Sequence, residues 1–159
     1  MKEPPPRRGF FEWEDFVAVR RELPEPLRPL VTFLYYTGCR VGETVKIRWP
    51  QVDFAERSIR LGPGETKNEE ARELPLIREL YDMLVMQKQL RDEMFPGAPW
   101  VFSRLGQLIR DFRTAWTNAC ELAGVEGRTP HDFRRTGVRN LVRAGVPERV
   151  AMQISGHKT

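Results

Sequence analysis

The chain has 159 residues, 40% of them hydrophobic and 30% charged, with 26 Lys/Arg against 22 Asp/Glu. That is one soluble domain's worth of core. It excludes a helical membrane protein, since no apolar run nears the roughly 20 residues of a span, and a disulfide scaffold, since Cys39 and Cys120 stand far apart. The positive excess lies wholly in the last third: residues 104–159 carry ten Lys/Arg, nine of them arginine, against five Asp/Glu. Such asymmetry points to a polyanionic partner.

The N-terminal "MKEPPPRRGF" has no apolar h-region, so the sequence reads as cytoplasmic, with reduced thiols and no secretory signal. Residues 1–9 read as a linker stump or disordered tail, and residues 10–159 as one domain. Over 10–23, Phe16, Val19 and Leu23 fall at helical spacing, with Glu12, Glu14 and Asp15 at the end the helix dipole favours. Residues 24–38 repeat the pattern with Leu27, Leu30, Val31 and Leu34; Pro26 suits a first turn and Gly38 a C-terminal stop.

A short helical piece at 40–47 follows, and then the period changes. "RWPQVDF", "SIRLG" and "RELPL" read as strands, with "GPGETKNEEA" supplying turn residues. A small antiparallel sheet with a hairpin near 62–71 results. The remainder reads as helix over 77–94, an extended link "WVFS", and helices over 106–124, 131–145 and 147–155. The predicted class is mostly α with a small three-stranded antiparallel sheet (α+β).

Stepping about 100° per residue from His131 places Phe133, Gly137, Val138, Leu141 and Ala144 on one apolar arc. Arg135, Arg139 and Arg143 fall on the polar side and read as solvated or phosphate-facing. Arg134 points into the apolar arc, with His131 at its edge. A buried guanidinium needs a counter-charge, and the pattern leaves two open: a buried carboxylate, or a ligand phosphate held bidentately. Arg40 and Glu43 lie one turn apart and taken alone would be a surface ion pair. Lys67 sits at the tip of the hairpin.

In order, "TGCRVGE", "TKNEEARELPL", "HDFRRTGVRNLVRAGV" and "ISGHKT" resemble the motifs of the tyrosine recombinase (phage integrase) family's catalytic domain. The resemblance runs from about residue 10 to the end. It implies a DNA-cleaving and DNA-rejoining enzyme acting on double-stranded DNA through a 3′-phosphotyrosine, with no metal and no other cofactor. By that resemblance Arg40 and Arg134 would clamp the scissile phosphate and stabilise the pentavalent phosphorane, with Arg135 a further phosphate contact. His131 would move a proton or bond the phosphate, and His157 would donate a hydrogen bond to it. Lys67 would protonate the departing 5′-oxygen, and Glu43 would orient Arg40 or His131.

The family's nucleophilic tyrosine lies on a short helix beyond the GH motif. None of Tyr35, Tyr36 and Tyr81 matches it. The sequence is therefore expected to be a catalytic-domain fragment trimmed at both ends and unable to cleave alone. It is further expected to be a monomer, where the full-length protein would be a homotetramer on DNA, associated with the nucleoid when bound. The rival readings are a non-catalytic DNA-binding module of the same fold and a helical adaptor for an acidic protein.

Overall fold

The computed structural model describes residues 10–63 and 71–157. Helix α1 (Trp13–Glu22) buries Phe16 and Val19 and carries Glu14 and Asp15 in its first turn, Arg20 and Arg21 in its last, each on the side its dipole favours. A 3-10 turn over Glu25–Leu27 leads into α2 (Arg28–Thr37), which is buried along most of its length. A one-turn helix, α3 (Val41–Thr44), precedes the sheet.

Strands β1 (Val52–Asp53), β2 (Ser58–Leu61) and β3 (Arg72–Pro75) form the antiparallel sheet in the order β1-β2-β3. Ile59 stands opposite Val52 on one side and Leu74 on the other, so the three apolar side chains share one buried face. The first strand is shorter than predicted, because Trp49–Gln51 closes a 3-10 turn. Pro50 has no N–H for a ladder.

Helix α4 (Arg78–Met94) then crosses to a feature the sequence reading missed, a second small hairpin of β4 (Ser103–Arg104) and β5 (Gln107–Leu108). Leu105 and Gly106 both adopt positive φ, 54° and 77°, as a two-residue I′-type turn requires. The helix predicted over 106–124 therefore begins only at Arg113: α5 spans Arg113–Ala123, and the Asp111 carboxylate accepts the Arg113 N–H at 2.9 Å. Helices α6 (Asp132–Arg143) and α7 (Glu148–Ser155) follow as predicted, within two residues at each end.

An aromatic cluster fixes the helices that carry the site. Phe16 stacks on Tyr35 at 4.1 Å, Phe11 meets Phe133 at 4.7 Å, and Trp116 meets Phe133 edge-on at 5.5 Å. These rings join α1, α2, α5 and α6, and each fully buried Phe contributes roughly 1.5–3 kcal/mol. The Phe11 N–H donates to the buried Thr136 hydroxyl at 2.8 Å, so the entry to α1 is tied to α6. On the outer side of α6, Arg139 is not freely solvated as predicted: it donates to Glu12 at 2.7 Å and lies 4.4 Å over the Phe10 ring.

Candidate active site

The site is built where the end of α2, the start of α6 and the end of α7 converge. Gly38 terminates α2 in the left-handed region (φ 68°), its N–H returning to Leu34 O at 2.9 Å. This is the αL stop for which glycine carries no Cβ penalty. Gly137 faces it on α6: a Cβ there would come within 2.6 Å of Gly38 Cα and 2.9 Å of the Thr37 carbonyl carbon. Backbone thus packs on backbone, with no side chain between.

That approach explains Arg134, which is only 3% exposed. Its Nη1 donates to Gly38 O at 3.1 Å and to Ser155 O at 3.0 Å. Both acceptors are carbonyls at the C-terminal ends of α2 and α7, where helix dipoles concentrate partial negative charge. Burial first, and then the nearby Arg40, lower the Arg134 pKa to about 10, so the guanidinium stays charged at neutral pH.

Arg40 precedes α3 and its side chain remains 30% exposed, 3.9 Å from Glu43 Oε1. Glu43 is buried, and its Oε2 accepts a 2.9 Å hydrogen bond from Arg72 Nη2. Sequence reasoning missed Arg72. Its side chain is 8% exposed, its Nε and Nη1 have no hydrogen-bond partner among the described residues, and its guanidinium lies against Gly156, where a Cβ would come 2.9 Å from Cζ. The signal was present in the strand period: Arg72 shares a face with the fully buried Leu74.

His157 is placed by the chain reversal at the end of α7. Gly156 takes φ 81°, the Gly156 N–H bonds Gln153 O at 3.2 Å, and the His157 N–H bonds Met152 O at 2.8 Å. That is a Schellman motif, with glycine at the left-handed position and histidine next. It is the physical reason for the Gly-His pair. Burial, and then the charges of Arg134, Arg40 and His131, push the His157 pKa down to about 4. His157 therefore lies within reach of the charges of Arg134, Arg40 and His131. His131 itself is exposed, on the residue before α6. It edges a cavity of about 500 Å³ with Val41, Trp116 and Pro130.

Lys67 lies outside the described residues. The strands on either side of it are fixed by the β2–β3 register, in which Leu61 pairs with Arg72. Arg135 is exposed, its guanidinium carbon 5.5 Å over the Phe10 ring, and it lines a groove with His157 and Met152. The tyrosines lie elsewhere. Tyr35 is buried in the aromatic cluster, Tyr36 packs edge-on to it at 5.3 Å, and Tyr81 lies beneath the Arg57 guanidinium at 4.3 Å. Among the described residues, no group of three His, Cys, Asp or Glu side chains could hold a metal ion.

The guanidiniums of Arg40 and Arg72 meet at the Glu43 carboxylate, and Arg134 and His157 meet at Ser155.

The chain is 28% identical over 173 residues to the integrase of Salmonella phage P22, covering 98% of this chain and 43% of that protein. It is 31% identical over 140 residues to tyrosine recombinase XerD of Mycobacterium leprae, covering 82% of this chain and 44% of that protein. The chain thus spans less than half the length of these relatives. Among solved structures it is similar to the catalytic domain of bacteriophage HP1 integrase (TM-score 0.65, 24% identity, 94% of this chain and 81% of that one). It is also similar to XerA recombinase (TM-score 0.76, 24% identity, 94% and 56%), and to the Tn1549 transposon integrase in complex with a circular intermediate DNA (TM-score 0.77, 17% identity, 99% and 60%). The sequence model of the phage integrase family matches residues 11–159. The chain belongs to the phage integrase family.

Proposed function

We propose that this chain is the catalytic domain of a site-specific tyrosine recombinase that exchanges strands of double-stranded DNA. The carrying observation is Arg134, a guanidinium sunk between two helix ends with Arg40, Glu43 and His157 around it. A DNA phosphodiester is an anion that such a cluster of guanidiniums suits.

In this reading a tyrosine oxygen attacks phosphorus, the bond to the 5′-oxygen breaks, and a 3′-phosphotyrosine forms. A 5′-hydroxyl from another strand reverses the step, so no bond energy is lost and neither metal nor nucleotide is consumed. Arg40 and Arg134 neutralise the non-bridging oxygens as charge accumulates on the phosphorane. Arginines doing comparable work elsewhere supply roughly 10³–10⁵ in rate. His157, neutral at pH 7, serves as a hydrogen-bond donor; His131 at the rim bonds the phosphate or passes a proton. Lys67, on the loop between β2 and β3, protonates the leaving oxygen, and Glu43 holds Arg40. Arg135 contacts a neighbouring phosphate.

Tyr35, Tyr36 and Tyr81 are packed among other side chains, so the attacking tyrosine comes from outside residues 10–157. The full-length protein works as a homotetramer on DNA in the cytoplasm. The test uses the full-length protein and its DNA site carrying a nick that lets the cleaved piece escape. A covalent protein–DNA adduct should accumulate and be lost in Arg134→Ala. Absence of any adduct on an authentic site would leave a DNA-binding module without chemistry.

A further inference from the structure

Arg72 is a buried guanidinium with no part yet in the chemistry. It opens β3, the strand that follows Lys67 in the chain. Its Nη2 donates to Glu43 Oε2 at 2.9 Å and lies 3.8 Å from Cys39 Sγ. Its Nε and Nη1 are buried and have no hydrogen-bond partner among the described residues, and Gly156 packs against it. Arg72 is thus 8% exposed, where the Arg40 side chain is 30% exposed. Of the two, only Arg40 presents its charge to an incoming anion.

As a source of stability this is a poor arrangement. A buried ion pair gains little over apolar packing of the same volume, and buried N–H groups left unbonded cost more. What the arrangement alters is charge. Glu43 is shared: Oε2 takes Arg72, and Oε1 lies 3.9 Å from Arg40 Nη1. A carboxylate beside Arg40 alone would cancel the charge that a phosphate has to meet. With Arg72 on the same carboxylate, two guanidiniums share one negative charge, and one positive charge is left over. The buried guanidinium holds the carboxylate by a hydrogen bond, and the exposed one stays beyond hydrogen-bond distance of it. The surplus therefore lies at Arg40.

We propose that Arg72 is a positioning residue that holds and neutralises the Glu43 carboxylate, so that Arg40 keeps its charge for a DNA phosphate. The identity of that anion rests on the reading above. The division of Glu43 between two arginines belongs to the DNA-free chain. Without Arg72 the buried carboxylate turns to Arg40, a guanidinium already 3.9 Å away, and takes it from the substrate. Removing the carboxylate's charge as well sets Arg40 free again.

The test is single-turnover adduct formation by the full-length protein on its nicked DNA site, beside crystal structures of the DNA-free 159-residue chain. Arg72→Met should slow the adduct about 10–100-fold, the loss that follows when an outer partner of a site is removed elsewhere. Arg72→Met/Glu43→Gln should recover most of that loss, because no carboxylate remains to cancel Arg40. Arg72→Lys keeps a cation beside Glu43 and should be faster than Arg72→Met. In an Arg40→Ala background Arg72→Met should add nothing, as for residues that act as a unit. The crystal structure of Arg72→Met should show Glu43 hydrogen-bonded to Arg40. A defect as large in Arg40→Ala as in wild type would assign Arg72 to the fold of the site and overturn the proposal. So would a Glu43→Gln double variant or a lysine variant no faster than Arg72→Met, or a Glu43 that stays clear of Arg40 in the variant crystal. If the full-length wild type forms no adduct, the recombinase reading fails, and the crystal structures decide the Arg72 assignment.

Discussion

Gly137→Ala should destabilise the protein although alanine is the better helix former. In the interior of α6 the exchange gains about 1 kcal/mol in propensity. Against that, the new methyl would stand 2.6 Å from Gly38 Cα and 2.9 Å from the Thr37 carbonyl carbon, where ordinary contact begins at 3.4 Å. The neighbours are backbone, so no side chain can swing away, and the end of α2 must retreat by about 0.5–0.8 Å in a close-packed interior. Overpacking of this kind costs roughly 1–3 kcal/mol, and rigid neighbours put it at the upper end. The retreat also stretches the 3.1 Å bond from Arg134 to Gly38 O, a charged hydrogen bond worth about 1.5–3 kcal/mol. The net loss should be about 2–3 kcal/mol, a fall in Tm of roughly 5–10 °C for a chain of this size.

Gly42→Ala is the matched control. It is also helical, its added Cβ meets nothing within 4 Å, and it should leave Tm unchanged or raise it by up to about 3 °C. Thermal unfolding followed by circular dichroism on both variants decides the matter. A Gly137→Ala protein as stable as wild type would refute the claim that backbone contact between α2 and α6 sets the position of Arg134.

Arg72→Met should cost about 1.5–3 kcal/mol in urea unfolding, since it removes the charged 2.9 Å hydrogen bond from the buried Glu43 carboxylate. The Arg72→Met/Glu43→Gln double variant should recover part of that, with a coupling of about 1–3 kcal/mol; strictly additive losses would show that the 2.9 Å pair does not hold in solution. His157 should titrate near pH 4 by NMR, because burial, Arg134, Arg40 and His131 all oppose its charging. Unfolded histidine binds its proton near pH 6.5, so the folded state loses stability as pH falls from 6.5 toward 4. His157→Gln should flatten that stretch of the stability curve, and an unchanged curve would assign it to other groups.

Most of the helices, the three-stranded sheet and the inward direction of Arg134 could be read from the sequence, because each rests on a local pattern. Phe16 and Val19 repeat at helical spacing, Gly38 and Gly156 mark left-handed stops, and Arg134 interrupts an apolar arc. The second hairpin escaped because Leu105 is an unusual residue for a positive φ, so "RLGQL" blends into the helical text after it. Arg72 escaped for a different reason. It looks ordinary within its own strand, and its contacts exist only once β3, α3 and α7 are brought together. The carbonyl acceptors of Arg134 were hidden likewise, since backbone carbonyls leave no mark in the identity of any residue.

The central claim is that Arg134 neutralises negative charge on a scissile phosphate, and it can be tested by removing that charge from the DNA instead of from the protein. The measurement is single-turnover cleavage by the full-length protein, wild type and Arg134→Ala, on a normal site and on one carrying a neutral methylphosphonate at the cleaved position. On the phosphate, the variant should be slower by roughly 10³ or more. On the methylphosphonate, which has no charge for the guanidinium to meet, most of that gap should close. An equal defect on both substrates would mean that Arg134 supports the fold of the site and not the charge of its substrate.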